Sequence, residues 1–320
     1  MIKKIALVRT SSAISEAQAQ QIARHITQRY GCEVVYGPEC FQSASVQQRA
    51  AVLLQYLCDD SIDLLWSVRG GEGSADVLPL LAPELPRVAQ HKPKYLLGLS
   101  DFTAVLVYLS QQLNWPCLHG PGALQLVIDW LDPSSWQVLE QWVSTETLPQ
   151  LDLKPLNASA CTPQTLTAQC TGGNLSLLNI SIGDIWQVET QDKIVCLEDW
   201  HEKGYVVERT LKYFQRIGLF DGVKAVNFRG FCVWAFSSRR CTESNAIGIF
   251  RQSISAFCSI FTDSSTTDSA HWAWLSKPDS AVYNTNDLAF GRRILPLKPI
   301  SKQSLICFFE CQCKVEMSRL

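Results

Sequence analysis

The chain has 320 residues, 47% of them hydrophobic and 18% charged, and a formal net charge of −2. That length holds one large or two ordinary domains with a sizeable core, and the charge balance excludes the basic footprint of a nucleic-acid binder. No apolar run reaches membrane-spanning length, and the start "MIKKIALVRTSS" lacks the apolar core and small-residue cleavage site of a signal peptide; a soluble cytoplasmic protein is expected, with neither membrane nor nucleic acid as partner.

The segment "KIALVRTSS" reads as a first strand ending at a polar turn. Ser15 to Tyr30 places Ile22 and Ile26 on one helical face, with Gly31 as the stop. "CEVVYG" is a short strand, and Val46 to Cys58 a helix with Val46, Ala50, Leu53, Leu54 and Leu57 on its inner stripe. "IDLLWSV" is a strand broken by "RGGEGSAD", and Ala75 to Leu81 starts a helix. "KYLLGL" is a strand, followed by a helix over Phe102 to Leu113. Near-continuous apolar strands alternating with helices predict an α/β fold, a parallel sheet with helices on its faces.

After Pro121 the composition turns polar and proline-dotted, suited to a linker and peripheral elements. The expected organisation is an N-terminal α/β domain over 1–150, a linker over 151–168 and a second, mixed α/β domain over 169–320. In that second domain "CTGGNLSLLNISIG" opens with a tight turn, "KIVCLED" is a strand, and "YVVERTLKYFQRIGLF" is a helix with Val207, Leu211, Phe214 and either Ile217 or Leu219 facing in. From Asn227 onward the periodicity degrades. The thirteen cysteines do not suggest a disulfide framework in a cytoplasmic chain of this size. Cys307, Cys311 and Cys313 are closely spaced but lack a flanking second ligand pair, so neither a metal nor a cofactor is expected.

Two loops, "SVRGGEGS" and "GLSDFTA", fall at the carboxyl ends of predicted strands, where ligands sit in open α/β sheets. Strand, turn, Ser100, helix is the physical plan of a nucleophile elbow, with the hydroxyl exposed and a helix N-terminus behind it. The backbone N–H of Asp101 would then face an oxyanion formed at Ser100, and Gly70 and Gly71 permit the close approach a second donor needs. Ser100 also suits the N-cap of the following helix, and the two roles are compatible. Glu198 and Asp199 end a buried strand, where a carboxylate can orient an imidazole; a surface salt bridge or a cap by Asp199 is the alternative. Arg69 lies close enough to the same rim to hold a peptide carboxylate, or to serve a structural ion pair. "RGGEG" on its own would also allow a nucleotide-binding loop, though it lacks a full phosphate fingerprint.

Taken in order, "SVRGGEGSADVLPLL", "LLGLSDFTAVLVYL", "CLHGPGA", "CTGGNLSLLNISIG" and "IVCLEDWHEKGYVVERTLKYFQRIGLF" resemble successive blocks of the LD-carboxypeptidases, the muramoyl-tetrapeptide carboxypeptidases related to the microcin-immunity serine peptidases. The resemblance covers about residues 3–226. It implies a serine peptidase of two α/β domains, paired as a homodimer in the manner of the family, that releases the terminal D-alanine of a murein tetrapeptide in cytoplasmic wall recycling. By position it makes Ser100 the nucleophile, Glu198 the residue that orients the histidine, and the backbone N–H groups of Gly71 and Asp101 the oxyanion hole. Glu72 and Glu208 depart slightly from the family pattern, away from the chemistry.

One departure touches the chemistry. The family's base is a histidine shortly before a Leu-Pro-Leu stretch, and "AFGRRILPL" offers only Arg292 there. Arginine stays protonated and is no base. Of the five histidines, only His201, just past Glu198, is a conceivable substitute. The tail suggests why: "HWAW" back-translates to CAY-TGG-GCN-TGG, and read one base later it gives Ile or Thr, Gly, a codon that permits His, and Gly. The same offset converts "NFRGFCVWA" into a strand-like Ile-Phe-Gly-Asp-Phe-Val. The expectation is a frameshift near Val226, a base lost around His271–Trp274, and a poorly packed tail over 227–320. A catalytically inactive remnant or muropeptide-binding protein is the alternative function.

Overall fold

Apolar stretches and amphipathic stretches alternate, and each finds its partner in a layered α/β arrangement. The computed structural model describes residues 2–148 and 165–228, with the strand segments 153–155, 232–235, 272–276, 283–284 and 313–316. In chain order these form β1 (Lys4–Val8), α1 (Glu16–Tyr30), β2 (Glu33–Val35), α2 (Val46–Leu57), β3 (Leu64–Ser67), α3 (Ser74–Leu81), α4 (Leu85–Val88), β4 (Tyr95–Gly98), α5 (Thr103–Leu113), β5 (Cys117–His119) and α6 (Pro133–Thr145). Then come β6 (Leu153–Pro155), β7 (Thr165–Ala168), β8 (Cys170–Asn174), α7 (Leu175–Ile180), β9 (Ile194–Glu198), β10 (Trp200–Lys203), α8 (Gly204–Arg216), β11 (Ala225–Phe228), β12 (Cys232–Ala235), β13 (Trp272–Ser276), β14 (Tyr283–Asn284) and β15 (Cys313–Glu316).

The chain divides into two compact units, the first built from Met1–Gln150 and Gln169–Glu189, the second chiefly from Leu151–Ala168 and Thr190–Leu305. Residues 169–189, which the sequence assigns to the second domain, therefore belong with the first. The first unit is organised on a five-stranded sheet of order β2-β1-β3-β4-β5, every neighbouring pair parallel. The order reverses between β1 and β3, the switch point at whose carboxyl edge ligands sit in open α/β sheets.

Local sequence sets the helices. Ser15 and Ser45 each close a capping box, with Gln18 and Gln48, at the start of α1 and α2, satisfying backbone donors that a helix start leaves open. Ile22 and Ile26 of α1 are fully buried against Ile5, Leu7 and Trp66 of the sheet, and each such side chain contributes about 1.5–3 kcal/mol on burial. The polar stretch after Pro121 is less peripheral than its composition implies. Asp132 caps α6 by accepting from the Ser134 and Ser135 N–H groups at 2.9 and 3.1 Å, and Leu139, Trp142 and Val143 enter the same core.

In the second unit β11 lies between β9 and β13, parallel to both, and β13 pairs antiparallel with β6. β9 is buried throughout. α8 turns Val207, Leu211 and Phe214 inward. Of the two candidates for its last inward position, Leu219 is 9% exposed and Ile217 41%, so Leu219 takes it. Asn227 and Phe228, just past the expected frame break at Val226, continue β11 in register and are buried. Arg292 and His271 lie outside the described residues, as do Cys307 and Cys311; the poor packing expected of 227–320 falls mostly there.

Candidate active site

The sharpest local feature of the first unit is at Ser100. β4 ends at Gly98, Leu99 is still extended, and Ser100 opens a single 3-10 turn through Phe102 before α5. Ser100 has φ +57°, a left-handed conformation costing a residue with a Cβ about 1–2 kcal/mol. Strain of this kind at a strand-to-helix turn lifts the side chain clear of the sheet edge. The residue that begins α5 is capped by Phe102, without a side-chain hydrogen bond. Ser100 is therefore not the N-cap of that helix, and the helix begins at Thr103 rather than Phe102.

The neighbouring loop is shaped around this serine. A Cβ on Gly70 would come within 2.9 Å of the Ser100 Cβ and 3.0 Å of its Oγ, so only glycine allows the two turns to lie this close. Gly71 has φ +144°, and a Cβ there would meet the Ser12 hydroxyl; its backbone is exposed. The Arg69 carbonyl accepts from the Ser11 hydroxyl at 3.1 Å and the Ser67 hydroxyl at 3.0 Å, which pins the loop to the end of β3 and to the loop after β1. The Arg69 side chain is exposed. Arg69, Gly70, Gly71, Ser100 and Asp101 thus meet at one rim of one sheet, as the sequence predicts.

Asp101 is buried, 5% exposed. Its Oδ2 accepts the Ser74 N–H at 2.8 Å, capping the start of α3. Burial pushes its carboxyl above the usual range, with the hydrogen bond to Ser74 and the nearby Arg49 charge acting the other way. The side chain's anchoring role is not evident in the sequence, where only the Asp101 backbone suggests itself. On the far side of α5, Gly173 packs between Thr103 and His119: a Cβ there would lie 2.9 Å from the Thr103 Oγ1 and 3.1 Å from the His119 Nδ1. The "GGN" segment is not a simple turn. Its glycines are in β8, while Asn174 accepts the Leu177 N–H at 3.1 Å and caps α7.

Glu198 belongs to the second unit. It ends β9 and is 3% exposed, as is Asp199. Both carboxylates are thus withdrawn from the surface. Asp199 accepts the Trp200 N–H at 2.8 Å, and a strand follows it, so it caps no helix. The histidines are dispersed: His25 is on α1 against Trp136, His91 is 3.2 Å from Asp60, His119 is buried in β5, and His201 is in β10. Among the described residues no group of three or more His, Cys, Asp or Glu is arranged to hold a metal, and no helix is long and apolar enough to cross a membrane.

Comparison with known proteins is consistent along the chain. Residues 5–120 match the LD-carboxypeptidase N-terminal domain, and residues 167–249 match the LD-carboxypeptidase C-terminal domain. The second match runs past Asn227, where the sequence alone ends the resemblance, so family character persists further into the tail than expected. A protein of Rickettsia conorii named as a carboxypeptidase is 34% identical over 195 residues, 60% of this chain and 60% of that protein. The chain accordingly spans 60% of the length of the first curated relatives it matches. The murein tetrapeptide carboxypeptidase of Pseudomonas aeruginosa is 26% identical over 244 residues, 73% of this chain and 76% of that one. Among solved structures, a muramoyltetrapeptide carboxypeptidase from Oxalobacter formigenes superposes with a TM-score of 0.67 at 17% identity, covering 89% of this chain and 90% of that one. An MccF-like protein from Bacillus anthracis gives 0.66 at 16%, covering 88% of each chain.

Proposed function

The chain belongs to the LD-carboxypeptidase family, and from that premise we propose that it is built to release the terminal D-alanine of a murein tetrapeptide by serine chemistry, with the turnover impaired by loss of the general base. The observation that carries the proposal is Ser100 at φ +57°, held against Gly70 on an elbow at the carboxyl edge of a parallel sheet. In the proposed reaction the Ser100 Oγ attacks the carbonyl of the L,D bond. The charge that develops on the carbonyl oxygen is met by the Gly71 and Asp101 N–H groups. Collapse breaks the C–N bond, D-alanine leaves with a proton, and water hydrolyses the acyl-enzyme. Arg69 supplies the positive charge that the substrate's terminal carboxylate needs.

In an intact triad a histidine takes the Ser100 proton and returns it to the leaving amine, with Glu198 holding its tautomer. Arg292 does neither. Hydroxide is then left to remove the Ser100 proton, and the rate falls by orders of magnitude. A cytoplasmic place in wall recycling belongs to the same proposal. The second reading is a muropeptide-binding protein without turnover, and it draws on the same arginine. The test is D-alanine release from a tetrapeptide by the chain and by Ser100→Ala. Slow release that Ser100→Ala abolishes supports the enzyme; equal rates overturn Ser100 as a working nucleophile. If Arg69→Ala leaves both affinity and turnover unchanged, Arg69 is not the carboxylate clamp.

A further inference from the structure

Behind the Ser100 elbow lies a buried polar cluster that the chemistry above does not use. Arg49, on α2, is 7% exposed. Its Nη1 donates to the Thr10 carbonyl, and to the Ser11 carbonyl at 3.4 Å, both on the loop after β1. The same guanidinium lies against the loop after β3: a Cβ on Gly73 would stand 3.0 Å from Nη1 and 3.1 Å from Nη2. The Thr10 hydroxyl is 2.6 Å from the Ser74 hydroxyl, and the Ser74 N–H donates to Asp101 at 2.8 Å. Four side chains therefore join three loops: the one after β1, the one carrying Gly71, and the elbow carrying Ser100.

Burying a guanidinium and a carboxylate is costly, and buried charges of this kind are weak sources of net stability. What they supply here is registry. An oxyanion donor works through placement fixed before the reaction begins, and a misplacement of about 1 Å costs on the order of 10²-fold in rate. Gly71 and Ser100 are on different loops, and no backbone ladder joins those loops beyond the strand ends. We infer that Arg49 and the Asp101 carboxylate are positioning residues that lock the Gly71 loop to the Ser100 elbow and so set the oxyanion donor relative to the nucleophile. The inference rests on the reading of Ser100 as the nucleophile.

Two readouts on the full chain test it: amide hydrogen exchange over residues 70–74 and 98–103, and the labelling rate of Ser100 by a fluorophosphonate. Asp101→Leu removes the acceptor of the Ser74 N–H. Exchange rises about tenfold in both loops together, as loss of one buried hydrogen bond implies, while β1 and β3 keep their protection, and labelling slows by on the order of 10²-fold. Asp101→Asn keeps an oxygen for the Ser74 N–H and returns exchange to the wild-type level. Arg49→Met, the second variant, raises exchange over 70–74 without touching either proposed oxyanion donor. Unchanged exchange over 70–74 in both Asp101→Leu and Arg49→Met overturns the inference, and so does failure of Asp101→Asn to restore it. A wild-type chain that takes no label even at alkaline pH, where hydroxide removes the Ser100 proton, counts against Ser100 as nucleophile, while the exchange result still decides whether the three loops are locked.

Discussion

Ser100 carries a conformational cost at φ +57°, which the proposed nucleophile role explains, and the cost is measurable. Glycine adopts φ +57° without the Cβ penalty, whereas alanine keeps it. Ser100→Gly is therefore expected to be more stable than Ser100→Ala by about 1 kcal/mol, read from urea unfolding of the two variants; equal stabilities would mean the elbow is not strained in solution. Asp101 gives a second residue-level test, in its pH dependence. Burial raises its folded-state carboxyl pKa above the ordinary 3.8, so the folded state holds that proton more tightly than the unfolded chain. Its contribution is full below the unfolded value and is lost as pH rises through the raised one. Stability of the wild type relative to Asp101→Asn should thus decline as pH rises above the ordinary carboxylate range; no decline on that side would contradict the assignment. The elbow itself is legible in "GLSD", because an apolar run, a small polar residue and a resumed helical pattern leave few conformations. Arg49 is not. In "VQQRAAVLL" it reads as one more polar residue on a helix, and only the arrival of the Thr10 and Gly73 loops makes it buried.

The strands and helices of the first unit are legible for a similar reason: the central strands β1, β3 and β4 are nearly continuous apolar runs, as a sheet covered on both faces requires. α6 is the instructive miss. Overall polarity hid it, yet Asp132-Pro133 is a helix-start signature, with a capping carboxylate and a proline whose missing N–H costs nothing at the first position. Asp132→Ala should destabilise the chain by about 1 kcal/mol, lowering the thermal midpoint by a few degrees; an unchanged midpoint would show that α6 is held by Leu139 and Trp142 alone. Lys94 ties two elements at the opposite end of the sheet from the site. Its side chain is fully buried beside Trp115, and Nζ donates to the Leu57 carbonyl at 2.9 Å and the Lys92 carbonyl at 3.1 Å. Leu57 closes α2, so the lysine satisfies a carbonyl the helix end leaves open. Lys94→Met should cost about 1–3 kcal/mol in urea unfolding, because the carbonyls stay buried without their donor.

For the whole molecule, the two halves of the proposed machinery are unequally preserved. Ser100, Glu198 and the glycine loop are placed by well-formed elements, whereas the proposed mechanism calls for a histidine where the sequence carries Arg292. Binary patterning makes most of the first 226 residues readable, and the proposed frameshift would account for its loss beyond them, since a tail translated out of frame has no selected pattern to read. Sequencing the gene decides the origin of that tail. Codons for His271 to Lys277 that spell Gly-His-Gly when read one base later support the frameshift, and codons that do not end it. The central claim, a serine nucleophile working without its histidine, is tested most directly by D-alanine release from a murein tetrapeptide across pH, for the chain and for Ser100→Ala. With hydroxide in place of an imidazole base, release should be slow, should depend on Ser100, and should climb about tenfold per pH unit with no inflection near the histidine range of about 6.5. A rate that Ser100→Ala leaves unchanged at every pH would contradict the claim.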